Sequence, residues 1–193
     1  MTKKTKIIAK RIGITGTPGT GKKSVGIEFS KLTGFEFVSI NELAIKNKAG
    51  RWRKREYVVQ PSKLRGKIDT EGKVVCGHLL PYVVPARDID FVAILRCSPL
   101  VLRKRFVERS YPSKKVRENL ESELLDLISL KSLEVYGRNK VFEFDTTRIK
   151  NPKTVARRIV ETLRGERKRQ FGLATWSRVS GESPVSLAKF VEE

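Results

Sequence analysis

The stretch GTPGTGKKSV, Gly16 to Val25, constrains this chain more than any other. A glycine-rich run of this form works as a turn between a strand and a helix. The glycines let successive backbone N–H groups point at one anion, and the helix N-terminus adds positive potential there. Both flanks are present. RIGIT (11–15) reads as a short apolar strand. From Lys22 onward, Val25, Phe29 and Leu32 recur at helical spacing until Gly34 closes the helix. Gly16, Gly21 and Lys22 satisfy the phosphate-loop pattern G-x-x-x-x-G-K-[ST], in which the lysine reaches the β- and γ-phosphates. The next position departs from it: where a hydroxyl would hold magnesium stands Lys23, with Ser24 one residue on.

The rest of the chain continues the alternation that the loop begins. FEFVSI (35–40), KVVC (73–76), FVAILRC (91–97) and KVFEFDTT (140–147) are strand candidates. Between them lie helical patterns. NELAIKN reads as a short helix capped by Asn41, and Ser98-Pro99 as the start of a helix through LVLRKRFVER. A long amphipathic helix carries Val116, Leu120, Leu124 and Leu127 on one face and is closed by Gly137. Asn151-Pro152 opens a last helix burying Val155, Ile159 and Leu163. Such an order predicts a mostly parallel sheet with helices on both faces. Residues 46–67 break the pattern as a basic, poorly periodic insertion. After Gly165 the composition shifts to a basic tail, 166–193, with Trp176 needing cover from the domain or from a partner. The expected organisation is one domain over 1–165 and that tail.

Charge narrows the choice of partners. There are 41 basic and 21 acidic residues, a formal net charge of +20, which points to a polyanion and to RNA before a membrane surface. No apolar run approaches the ~20 residues of a membrane span. Cys76 and Cys97 have no paired spacing and read as reduced core residues of a cytoplasmic protein.

Several stretches together resemble one family. ITGTPGTGKKSV, FVSINELA (37–44), VVCGHLLPYVVP (74–85), the long segment 93–126 and VFEFDTT (141–147) are similar, in order, to the adenylate kinase isoenzyme 6 family, archaeal and eukaryotic nucleotide kinases and ATPases of small-subunit ribosome assembly. The resemblance spans roughly residues 9–164. It implies an α/β P-loop NTPase fold, a three-layer sandwich of nucleoside-monophosphate-kinase type. It also implies ATP on the phosphate loop, an acceptor nucleotide opposite, and as partners a small-subunit ribosomal protein and rRNA. Carried over by position, Gly16, Gly19, Thr20, Gly21, Lys22, Lys23 and Ser24 would meet the ATP phosphates. Arg109 would be the cation of a lid at about 108–118, and Thr147 would lie near the adenine. His78 would be the histidine of an Asp-x-His motif, and Asn41 would fall on the acceptor side. The catalytic candidates are Lys22, Arg109 and His78; Arg103, Arg105 and Lys114 are read as solvated helix cations.

Two departures concern one ion. The hydroxyl after the lysine is replaced by Lys23, and the aspartate of Asp-x-His by Cys76. Magnesium prefers hard oxygen ligands. Ser24 does not take over the hydroxyl's place, because one residue along a helix turns the side chain by about 100°. No metal-binding residue is therefore assigned, and magnesium is expected through the nucleotide phosphates only. Lys23 either stands in for the ion against the phosphates or points to solvent. Ser110 replaces a usual glycine of the lid. In the insertion, about 41–67, Arg51, Arg53, Lys54 and Arg55 surround Trp52 and Tyr57, a mixture suited to phosphate contact and base stacking. These features favour an ATP-binding assembly factor with weak or absent phosphotransfer; the alternative is an active, broad nucleoside monophosphate kinase with ATPase activity.

Overall fold

The computed structural model describes residues 7–54, 56–172 and Trp176. In chain order these form β1 (Arg11–Thr15), α1 (Lys22–Thr33), β2 (Glu36–Ser39), α2 (Ile40–Lys46), β3 (Gly50–Arg53) and β4 (Glu56–Val59). Next come β5 (Lys73–Cys76), α3 (Leu80–Val83), β6 (Phe91–Arg96), α4 (Pro99–Glu108) and α5 (Ser113–Leu124). The last elements are α6 (Leu127–Tyr136), β7 (Val141–Asp145) and α7 (Pro152–Leu163). Five strands make an all-parallel sheet in the order β2-β5-β1-β6-β7, while β3 and β4 pair antiparallel as a separate hairpin.

Alternation along the strands builds a layer on each face, since successive side chains in a strand point to opposite sides. Ile12, Ile14, Val74, Ala93, Leu95 and Phe144 pack with Val25 and Phe29 of α1 and with Val155 and Ile159 of α7. Val75, Val92, Ile94 and Val141 pack on the other face with Ile40 and Ala44 of α2, Leu80 and Val83 of α3, and Tyr136 of α6. A third cluster, Cys97, Leu102, Phe106 and Leu120, seats α4 on α5. Burial of both sheet faces is why these strands read as continuous apolar runs.

Some local expectations are corrected. Ser39, not Asn41, caps α2: its hydroxyl accepts from the Glu42 N–H at 3.4 Å. Leu32 ends up partly exposed, because α1 meets the sheet only through Val25, Gly26 and Phe29. The long amphipathic helix is two helices. It breaks at Asp126, whose backbone sits in the left-handed region (φ 56) and whose carboxylate turns inward to Arg96; Leu127, beyond the break, is about half exposed. The basic insertion is not shapeless, since it folds into the β3–β4 hairpin with Trp52 packed edge-on against Tyr57 at 5.3 Å.

The described part of the tail packs on the domain. The Glu143 N–H donates to the Gln170 carbonyl at 2.9 Å. Arg169 lies over Phe142, and Phe171 joins the second core layer. Trp176 is buried, with Arg96 over its ring at 5.4 Å.

Candidate functional site

The phosphate loop runs from the end of β1 to the first turn of α1, at the carboxyl ends of the strands. Ligands of open α/β sheets gather there. Its shape depends on close contacts that only glycine permits. A Cβ on Gly16 (φ 136) would stand 2.3 Å from the Leu95 carbonyl oxygen, and one on Gly19 (φ 87) would stand 2.9 Å from the Phe106 ring. Gly21 caps α1 in the left-handed region and leaves the helix N-terminus open. The Thr20 hydroxyl donates back to the Thr17 carbonyl at 2.9 Å, which tightens the loop.

Two clefts flank the loop. The first, about 360 Å³, is bordered by Gly19, Lys22, Lys23, Ser24, Ser39, Asn41, Cys76, His78, Arg109, Tyr111 and Lys115. The second, about 340 Å³, lies between Gly19, Thr20, Gly21 and Ser24 on one side and Arg105, Arg109, Thr146, Ile149 and Pro152 on the other. The loop, the α4–α5 connection and the β5 end thus bring Lys22, Arg109, His78 and Asn41 together. Arg109 borders both clefts, as a cation shared between two ligands would.

Electrostatics in the first cleft are one-sided. Among the described residues, Lys22, Lys23, Arg109 and Lys115 border it and no carboxylate does. The Lys22 ammonium donates to the Thr17 carbonyl at 2.8 Å, and burial lowers its pKa to about 8 against the opposing pull of Glu123. Burial, aided by Lys22 and Lys115, lowers His78 to about 4, so the imidazole is neutral at physiological pH. Burial pushes the Cys76 thiol up, and it stays protonated. Lys23, at the border of the cleft, pairs with Glu42 of α2 at 2.6 Å. Across the mouth, Lys115 of α5 pairs with Glu56 of β4 at 2.6 Å and ties the lid side to the hairpin.

The remaining predicted residues divide. The Thr147 hydroxyl accepts from the Ser98 N–H at 2.9 Å, and Thr146, its neighbour, borders the second cleft. Arg51, Trp52, Arg53 and Lys54 sit on the hairpin and border neither cleft; Trp52 is 62% exposed. Arg55 lies outside the described residues. Ser110 adopts φ 52, the left-handed region that glycine occupies most easily. Two residues escape a sequence reading. Arg105 is not a solvated helix cation: its guanidinium donates to the carbonyls of Gly19 at 3.0 Å and Thr146 at 3.1 Å, closing the floor of the second cleft. Glu123, on a helix that reads as amphipathic, is buried and accepts from the Thr17 hydroxyl at 2.5 Å. Its signal was only that of an acid in a buried register.

Comparison with known proteins follows this geometry. A family model described as an AAA domain matches residues 12–126. A protein of Thermococcus gammatolerans named "Putative adenylate kinase" is 36% identical over 175 residues, covering 89% of this chain and 95% of its own length. A protein of Archaeoglobus fulgidus bearing the same name is 38% identical over 157 residues, covering 81% and 83%. The chain belongs to this adenylate-kinase-like family. Among solved structures, a shikimate kinase from Acinetobacter baumannii aligns with a TM-score of 0.57 at 19% identity, covering 84% of this chain and 97% of that one. The adenylate-kinase-like chain therefore has the α/β P-loop kinase fold.

Lys23 and Cys76 are poor ligands for magnesium as they stand. Lys23 is paired with Glu42, and Cys76 is a neutral buried thiol. Among the described residues no group of three or more His, Cys, Asp or Glu side chains is placed to hold a metal ion. No described helix is long and apolar enough to cross a membrane.

Proposed function

We propose that this adenylate-kinase-like chain binds ATP across the phosphate loop and serves as an assembly factor of the small ribosomal subunit with slow phosphoryl chemistry. The observation that carries this reading is the first cleft itself, which has Lys22 and Arg109 for phosphate and, among the described residues, no carboxylate in its lining. The phosphates lie over the loop N–H groups. The nucleoside enters the second cleft against Arg105, Thr146 and Pro152, and an acceptor nucleotide or RNA phosphate enters from the side of Asn41 and His78. Lys22 and Arg109 neutralise charge on the transferring phosphoryl. Neutral His78 accepts a hydrogen bond from an attacking hydroxyl or water. The ion, when present, rides on the nucleotide phosphates. Metal stabilisation of a phosphoryl group contributes several kcal/mol, and each ~1.4 kcal/mol is tenfold in rate, so a protein that does not hold the ion turns over slowly.

The ribosomal part rests on the family resemblance, on the net charge of +20 and on the exposed hairpin, where Arg51, Arg53 and Lys54 flank Trp52. Such a surface suits backbone neutralisation and base stacking. Replacing Arg51, Arg53, Lys54 and Arg55 by Gln should lower the salt slope of single-stranded RNA binding by about three; an unchanged slope overturns the hairpin as the contact.

A second reading, an active nucleoside monophosphate kinase, is favoured by the intact loop, by Arg109 shared between the clefts and by the names of the archaeal relatives. A coupled assay of AMP phosphorylation and ATP hydrolysis, with Lys22→Ala as control, separates the two. The assembly-factor reading expects turnover far below the kinase range of about 1–100 s⁻¹; turnover within that range overturns it.

A further inference from the structure

Beneath the phosphate loop lies a cluster of buried charge that phosphate chemistry does not itself require. Arg96, at the end of β6, donates from Nε to Glu123 at 2.9 Å and from Nη1 to Glu143 at 2.7 Å and Ser129 at 3.0 Å; Nη2 pairs with Asp126. Three carboxylates therefore surround one guanidinium. Desolvation works against the Arg96 charge, yet the three acids hold its pKa above the ordinary value. Glu143 and Asp126 already exceed what Arg96 needs for neutrality. Buried ionic clusters are poor sources of stability in themselves, so the third acid calls for another explanation.

Glu123 has its own second set of partners. Its Oε1 also accepts from the Cys97 N–H at 3.1 Å, and its Oε2 accepts from the Thr17 hydroxyl at 2.5 Å. Thr17 lies inside the phosphate loop and is buried. Its carbonyl receives both the Lys22 ammonium and the Thr20 hydroxyl. A single carboxylate on α5 thus holds the residue that in turn holds the phosphate-binding lysine. We propose that Glu123 is a positioning residue for the phosphate loop: through the Thr17 hydroxyl it fixes the loop in its anion-receiving form and sets where Lys22 waits. This deepens, and rests on, the reading that the loop binds ATP.

The charges around Lys22 make the role measurable. Lys23 comes from α1, Cys76 and His78 from β5 and the turn after it, Arg109 from the end of α4, and Lys115 and Glu123 from α5. Among these Glu123 supplies the negative charge that opposes the lowering of the Lys22 pKa by burial.

The test is a titration of the full-length protein with the fluorescent analogue mant-ATP from pH 6 to 9.5. Thr17→Val should weaken binding about tenfold, the weight of a hydrogen bond to a buried charge, and Thr17→Ser should restore it. Glu123→Gln should move the alkaline fall in affinity to lower pH, because it removes the negative charge that acts on Lys22. If Glu123→Gln does not fold, the Thr17 pair decides alone. A folded Thr17→Val protein that binds like wild type, or a Glu123→Gln limb that does not move, overturns the proposal while leaving ATP binding intact. Wild-type protein that fails to bind mant-ATP overturns the underlying reading and this one with it.

Discussion

Raising the pH from 7 to 9 should weaken nucleotide binding about tenfold through Lys22 alone. The side chain waits in a desolvated position with a pKa of about 8. A phosphate ligand requires the charged ammonium and, once bound, holds the proton on it. Affinity therefore scales with the protonated fraction of the free protein, which is about nine-tenths at pH 7 and about one-tenth at pH 9. The sign follows from the direction of the shift. A lysine at its ordinary 10.4 would leave affinity unchanged over this range, whereas a lowered pKa puts the fall inside it. The terminal phosphate, with a pKa of about 6, finishes ionising at the low end of this range and acts in the opposite direction, so the Lys22 fall is read at its alkaline end. Isothermal titration with ATP in EDTA, from pH 6 to 9.5, reads the limb directly, and Lys22→Ala should be weak and flat. Wild-type affinity that stays level to pH 9.5 would refute the claim that Lys22 is desolvated in the free protein.

Three further outcomes follow from neighbouring features. His78 is the only histidine, so its ring proton resonance can be followed unambiguously; it should titrate near pH 4 instead of the usual 6.5, and a midpoint above 6 would contradict its burial. Cys76→Asp should place a carboxylate at the end of β5 facing the first cleft. Magnesium should then raise ATP turnover by at least about tenfold relative to wild type; no change would mean that the thiol is not what limits the ion. Gly26→Ala would favour a free helix, yet its Cβ would stand 2.4 Å from the Cys76 sulfur and 2.8 Å from the Phe37 ring. Overpacking there should cost about 1–3 kcal/mol, read from the urea midpoint.

Several local sequence rules were obeyed by the structure because they are decided by near neighbours. The strands at 11–15, 73–76 and 91–96 are apolar runs ended by polar or small residues, and both faces of their sheet are covered. Gly34 closes α1, Pro99 opens α4, and Asn151 caps α7 by accepting from the Lys153 N–H. Other rules failed where a distant partner intervened. The heptad-like pattern 116–127 runs straight through Asp126, yet the helix breaks there, where the Asp126 carboxylate meets Arg96, thirty residues earlier in the chain at the end of β6. The charged face of α4 reads as solvated, yet Arg105 finds two carbonyls on separate loops.

For function the division is similar. The sequence alone placed a glycine-rich loop between the first strand and the first helix, with Lys22 at its end, and put Lys23 and Cys76 where the family resemblance leads one to expect metal-organising groups. These are matters of order and spacing along the chain, which a strand–loop–helix unit converts directly into geometry. The tertiary structure decided which charges face one another. It tied Lys23 to Glu42, brought Arg109 to the border of both clefts, kept Arg51, Arg53 and Lys54 out of both, and set Glu123 beneath Thr17. Those pairings join residues nineteen to more than a hundred positions apart. Their energies depend on desolvation and direction, which exist only once the sheet and its helices have closed around them.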